Sequence, residues 1–423
     1  MVDDLVVSVS ASQTGNTRFA NNQPTTAGDV AAQTVRVTAT VKGRSATLST
    51  NRTDSKSLER LVRQAEEMAA ISPVDPEHMP PLGPQKYARV NARDRATAKL
   101  GGAERAKAIE KPLGVATGRG LVGSGLVIHD DTASALANSK GLFAYYPSTG
   151  VSLSNTCRTP DGSGSGRAAF VSHRFSDLDA KAVATTAADK AEMSVDPQGI
   201  DPGKYVVILE PQAVADLLGF LVGAMRARAA DEGRSYFSRA GGGNRVGDEL
   251  FHPSISITSD PAHPDHPATP IGSGGLPQGK VTWIEKGVLR ALSYSRYWAD
   301  KQGKEPISMP SSIHMAGSDQ SLAQLIQGVD RGVLVTRFWY NRMLEPRTIL
   351  ATGLTRDGTF LVEQGKITTA LKNFRYNESP VTLLKNVLAM GKAERVPTRG
   401  GRVMVVPPMV VEGFNFASLS DAV

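Results

Sequence analysis

The sequence predicts an α+β protein: N-terminal hairpin and helix units, then a larger C-terminal domain built on antiparallel β-sheet. Three observations predict it. Apolar residues alternate with period two in many short runs, as half-buried strands require. Helical periodicity is confined to a few segments. Two stretches rich in proline and glycine, 72–84 and 196–203, divide the chain into units over 1–75, 85–195 and 200–423.

The elements follow in order. Leu5, Val7 and Val9 alternate with polar neighbours and mark an opening strand, with a turn expected at Thr14, Gly15 and Asn16. Val35, Val37, Ala39 and Val41 form a second strand. Lys42, Gly43 and Arg44 then reverse the chain into a partner strand at 45–50, glycine standing where the backbone must turn back. A helix starts at Asp54 or Ser55, either of which can cap free amides. Its buried stripe is Leu58, Leu61, Val62, Ala65 and Met68. Five prolines in 72–84 exclude helix and inner strand there.

In the second unit, 93–111 reads as a solvated, largely helical segment of mixed charge. Strands are expected at 121–128, 142–146 and 151–156, then a Gly/Ser loop at 161–166 and a helix over 179–193. The third unit begins with a strand at 205–209 and an apolar helix over 211–230. Strands are expected at 281–285, 288–294, 332–338, 359–362 and 366–371, and a late helix at 379–390.

Composition narrows the function classes. The chain has 423 residues, 40% hydrophobic and 21% charged, which suits a soluble globular protein with a large core. No apolar run reaches membrane-spanning length, and no basic-then-apolar leader opens the chain. The single cysteine, Cys157, cannot form an internal disulfide, which fits a reducing cytoplasm. Net charge is +7, but lysines and arginines are scattered among acids, so the excess reads as surface charge rather than a nucleic-acid patch.

Several signals invite chemistry. GRGLVG at 118–123 matches a dinucleotide pattern, but a strand, not a helix, is expected after it, so it reads as a glycine turn. His263 and His266 are spaced like ligands on a helix face, yet prolines flank both, and a solvated loop is expected instead of a metal site. His129 reads as a polar strand end. Cys157 lacks a visible partner base and reads as a half-buried structural residue. Arg337, Tyr340, Arg356 and Asp357 gather guanidinium, aromatic and carboxylate groups at strand ends. They form either a cluster that recognises a peptide backbone or carboxylate, or a structural Arg–Asp pair that shapes a turn.

Five stretches in sequence order resemble the TldD/PmbA family, whose PmbA branch is also called TldE. They are GRSATLST at 43–50 with the helix over 58–69; NSKGL at 138–142 with the strands and turn after it; 205–224; WIEKGVL at 283–289 through GVLVTRF at 332–338; and RDGTFLVEQGKI at 356–367. The resemblance spans nearly the whole chain. It implies a heterodimer in which the TldD-type subunit carries His-Glu-x-x-x-His on a helix plus a late cysteine, together holding zinc. The glutamate would activate water for peptide hydrolysis. In this sequence the first histidine falls on Gly219, the glutamate on Phe220 and the second histidine on Ala224. The cysteine would fall near Gly400 or Gly401, where none exists.

The resemblance therefore implies a PmbA-type subunit with no metal of its own and no catalytic residue. It would pair with a TldD-type partner and form one wall of a cleft for unfolded, short or modified peptides, with zinc in the partner. Homodimers without the partner are also conceivable. Wall residues expected are His314, Arg337, Tyr340, Arg356 and Asp357. Two other readings stay open: a metal-independent enzyme using the same cleft, and a basic binding module without catalysis. The sequence departs from the family at its start, where the first strand begins almost at Met1 rather than after a helix, and in the loop holding His263 and His266.

Overall fold

The structure, a computed structural model, describes residues 2–398 and 403–420. Its first sheet is built from long strands. β1 (Asp4–Ala20), β2 (Gln23–Val41) and β3 (Arg44–Thr50) form a meander, followed by helix α1 (Ser55–Ile71). Helix α2 (Gly102–Gly118), strands β4 (Val122–Asn138), β5 (Phe143–Arg158) and β6 (Ser165–Ser172) and helix α3 (Ala180–Met193) come next. All six strands join one antiparallel sheet in the order β3-β2-β1-β4-β5-β6. The irregular segment around 72–96 therefore crosses a continuous sheet, because β1 pairs with β4 from Val6↔Asn138 to Phe19↔Gly125.

Local chemistry explains much of this half. Lys42 and Gly43 (φ 49° and 72°) make the left-handed turn expected between β2 and β3. Asp54 caps α1, its carboxylate accepting from the Ser57 amide at 3.0 Å. The buried face of α1 is Leu61, Ala65 and Ala69, with Leu58 and Val62 partly buried beside them as expected; only at the last position does Ala69 replace the half-exposed Met68. No turn occurs at Thr14–Asn16. The chain reverses at Asn21 and Asn22, both at positive φ. Gly15 instead gives clearance, since a Cβ there would collide with the Arg105 guanidinium and the His129 ring.

That clearance serves a buried charge. Arg105 lies on α2 with no exposed surface, paired with Asp29 at 2.8 Å and 3.3 Å from Thr17 Oγ1. The solvated reading of 93–111 therefore fails at Arg105. His129 is also buried, mid-strand in β4 and opposite Gly15, not at a strand end. The expected strands at 142–146 and 151–156 are one strand, β5. Cys157 is fully buried in it, and burial raises its thiol pKa.

The C-terminal half holds β7 (Gly203–Leu209), α4 (Pro211–Ala224), α5 (Ala227–Asp231), β8 (Ile257–Ser259), β9 (Val281–Glu285), β10 (Val288–Leu289), α6 (Arg296–Gln302), β11 (Ile313–Met315) and α7 (Leu322–Gln327). It continues with β12 (Arg331–Glu345), β13 (Leu350–Glu363), β14 (Lys366–Ala370), β15 (Asn373–Glu378), α8 (Pro380–Lys385), β16 (Val387–Met390), β17 (Glu394–Pro397), β18 (Val403–Val406) and β19 (Met409–Ser420). Strands β7, β12, β13, β15 and β19 pair around a closed ring; only β7–β12 is parallel. β14 and β16 extend it. A second sheet runs β10-β9-β8-β11-β18-β17.

Three expected elements differ. The helix over 211–230 breaks after Ala224, because Met225 and Arg226 leave helical geometry and Arg226 bridges Ser293. The helix over 379–390 stops at Lys385, and Val387–Met390 pairs with β19 instead. Of 288–294, only Val288–Leu289 is strand. Helix α4 is apolar almost all round because it packs between the ring and the second sheet, whose inner residues share its core.

Candidate substrate cleft

Helix α4 leaves β7 through Glu210, with Pro211 at its first position, where a missing amide costs nothing. Most of its side chains are buried. Asp216, Gly219, Phe220 and Gly223 lie at the three- and four-residue spacings of one helix face. That face lines a cavity of about 390 Å³, closed by Arg226, Met309, Asn341, Thr398 and Met404. A Cβ at Gly219 or Gly223 would meet nothing within 4 Å, so these glycines make room for the cavity and are not required by close packing.

Zinc does not fit this face. Gly219, Phe220 and Ala224 offer no lone pair to a cation, and Ala224 turns onto the core rather than the cavity. Asp216 is the only acidic group among the described lining residues. Among all described residues, no three His, Cys, Asp or Glu side chains are arranged to hold a metal. The positions near Gly400 and Gly401 lie outside the described residues.

Asp216 is the chemically unusual group. One carboxylate oxygen accepts from the Phe338 amide at 2.9 Å and the other from Gln212 Nε2 at 3.1 Å. Burial pushes its pKa up to about 6, against those hydrogen bonds and the positive field of Arg337 and Arg167. Arg167, on β6, is pushed down to about 10 by burial and by Arg337 beside it. Sequence reasoning missed both. For Asp216 a signal existed: it is the one acid inside an apolar helical run.

Three of the expected wall residues come together. Arg337 Nε donates to Asp357 Oδ2 at 2.7 Å, Ser165 Oγ donates to Asp357 Oδ1 at 2.8 Å, and Arg356 Nε stands 4.0 Å from the same carboxylate. Both guanidiniums lie over the Trp339 ring, at 4.8 and 5.9 Å from its centre. Asp357 and Gly358 have positive φ (56° and 127°), where β13 slips register against β12. The Arg–Asp pair therefore shapes a bulge and ties β6 to the ring. Tyr340 is mostly exposed and touches this group only through Trp339, at 5.5 Å between ring centres.

His314 stands apart, on β11 in the second sheet. His263 and His266 fold back onto it, with ring centres 4.2 and 5.3 Å away. The loop is solvated at Ala262, Pro264 and Asp265, as the sequence suggests, but not throughout: His266 is buried, and the Nε2 atoms of His266 and His314 are buried without a partner among the described residues. Burial is the main reason their pKa values fall, to about 3 for His266 and about 4 for His314. The rings lie against one another rather than converging on a central point.

Comparison with known proteins places this geometry. Residues 5–69, 80–195 and 202–418 match, in order, domain 1, the central domain and the C-terminal domain of the PmbA/TldA metallopeptidases. The chain belongs to the PmbA/TldA metallopeptidase family. Three solved structures share its fold over almost its full length. One, from Thermotoga maritima and described as a candidate modulator of a DNA gyrase, has TM-score 0.85 at 20% identity, covering 98% of this chain and 96% of that one. TldE from Thermococcus kodakarensis gives 0.84 at 18%, covering 98% and 97%. A candidate DNA gyrase modulator from Bacteroides thetaiotaomicron gives 0.84 at 21%, covering 99% and 95%. No curated protein matches the chain. Among the described residues of this PmbA/TldA chain, no helix is long and apolar enough to cross a membrane.

Proposed function

We infer that this chain is the metal-free subunit of a two-subunit peptide hydrolase. One observation carries the reading: the helix face where the resembling metallopeptidase subunit has its ligands is here an open, glycine-lined wall in which Gly219, Phe220 and Ala224 replace the ligand residues and Asp216 is the one carboxylate among the described lining residues. Such a wall can border a cleft but cannot activate water through a metal. Family membership supports the peptidase setting. Zinc and the catalytic glutamate would belong to a TldD-type partner with His-Glu-x-x-x-His.

Two related folds pairing about a pseudo-twofold axis would set the partner's ligand helix opposite α4. This chain would then supply the cavity beside Gly219 and Gly223, with Asp216 and Asn341 as its polar contacts. An extended or unfolded peptide fits a cleft between subunits where a folded domain does not. The single buried cysteine suits a cytoplasmic setting.

Co-expression with a TldD-type chain tests the reading. The expected result is a stable complex that hydrolyses an unstructured peptide, is stopped by a chelator, and is inactive as either chain alone. Hydrolysis by this chain alone would overturn it.

A further inference from the structure

A second, larger cavity of about 820 Å³ opens beside the first and shares Arg226 and Met309 with it. Four guanidiniums line it: Arg226, Arg228, Arg234 and Arg296. Two are answered. Arg228 makes a two-pronged pair with Glu77 and also holds Glu232, which in turn pairs with Arg234. The other two are not. Among the described residues, the Arg226 side chain donates only to the Gly223 carbonyl, at 3.2 Å. Arg296 is half-buried, loses hydration that lowers its pKa, and has no acidic partner among the described residues.

A polar atom in the same wall is also left unmatched. Ser308 Oγ is buried with no hydrogen-bond partner. A half-buried cation such as Arg296 and a buried hydroxyl such as Ser308 are costly when left without partners, and they persist where a ligand completes them; Arg226 is exposed beside them. Planar guanidiniums suit two-pronged capture of a carboxylate.

We propose that this cavity is an acidic-residue subsite, in which Arg226 and Arg296 bind a carboxylate carried by an extended peptide that continues from the cavity beside α4. The substrate class is thus a peptide with an Asp or Glu side chain, or a free C-terminal carboxylate, a few residues from the stretch lying against Gly219 and Gly223. The subsite rests on the peptide-cleft reading, but its test does not need the partner subunit.

The experiment is fluorescence anisotropy on this chain alone, with a labelled hexapeptide containing two adjacent glutamates and its glutamine counterpart. The expected result is at least about tenfold tighter binding of the glutamate peptide, weakening as salt rises. R226Q/R296Q abolishes the preference. R331Q, which removes one charge from outside the cavity as R296Q does from inside it, leaves it intact. Thermal melts by circular dichroism verify that each variant is folded, and R296Q alone gives a milder second reading.

Equal binding of both peptides, or loss of the preference in R331Q, overturns the subsite. So does tighter binding of inorganic phosphate or a single-stranded oligonucleotide than of the glutamate peptide, if R226Q/R296Q removes it. Carboxylate preference without hydrolysis in the mixed complex would sink the peptidase reading while leaving the subsite standing.

Discussion

Asp216 is the residue whose chemistry is most constrained by the fold. Burial raises its folded pKa to about 6, from an ordinary value of 3.8. Between pH 4 and 6 the folded state holds a proton that the unfolded state has released. Stability contributed at this site therefore falls as pH rises through that window and stays low above it. D216N removes the charge and keeps an acceptor for the Phe338 amide. It should raise stability at pH 7.5 by roughly 1–3 kcal/mol and change it little at pH 4. Urea melts at the two pH values check this; a destabilised variant at pH 7.5 would show that Arg167 and Arg337 already offset the burial cost. Gly219 gives a second residue-scale test. It sits mid-helix facing open space, so G219A should stabilise by about 0.5–1 kcal/mol through helix propensity, read as a rise in Tm.

At the scale of elements, the loop from Asp260 to Pro270 meets β11 through three imidazoles, His263 and His266 lying tilted against His314. His266 faces His314, His263 and Arg395, and hydrogen-bonds to the Val403 backbone; His314 also feels Asp260 and Asp265. A depressed histidine pKa has the opposite sign to Asp216. The unfolded chain takes up the proton near pH 6.5 and the folded one only near pH 3. Stability is full above about pH 7 and is lost as pH falls toward 4. His266 alone should remove about 1–2 kcal/mol between pH 7.5 and 5. H266F should flatten that acid slope; an unchanged slope in a folded variant would place the acid-sensitive group elsewhere. Elements were legible where local chemistry and tertiary contacts agree. The Lys42–Gly43 turn and the Asp54 cap follow from residue type alone. Gly15 was misread because glycine looks the same whether it turns a chain or clears space for Arg105. Val387–Met390 left the expected helix because β19 offers a pairing edge that no local pattern shows. Of the candidate site, Arg337, Arg356 and Asp357 were readable from a short stretch. Asp216 on α4 feels Arg167 on β6 and Arg337 on β12, and that arrangement is visible only in three dimensions.

At the scale of the molecule, two halves are bolted together by charge. Lys190 meets Glu210 at 2.6 Å, Ser165 meets Asp357, and Arg395 bridges Ser172 and Asp177 at 2.9 and 3.2 Å. The first sheet crosses the irregular 72–96 segment, so a fragment starting at residue 80 would expose the whole β1-facing edge of β4. Such a fragment should be insoluble or lack a cooperative melt; a soluble, cooperatively folding one would contradict the shared sheet. The central claim also belongs at this scale: the wall formed by α4 borders a peptide cleft but holds no metal. Zinc stoichiometry tests it most directly, measured by elemental analysis on this chain alone and on its complex with a TldD-type chain, each dialysed free of loose metal. The account predicts one zinc per complex and none on this chain alone; one tightly held zinc on the isolated chain would contradict it.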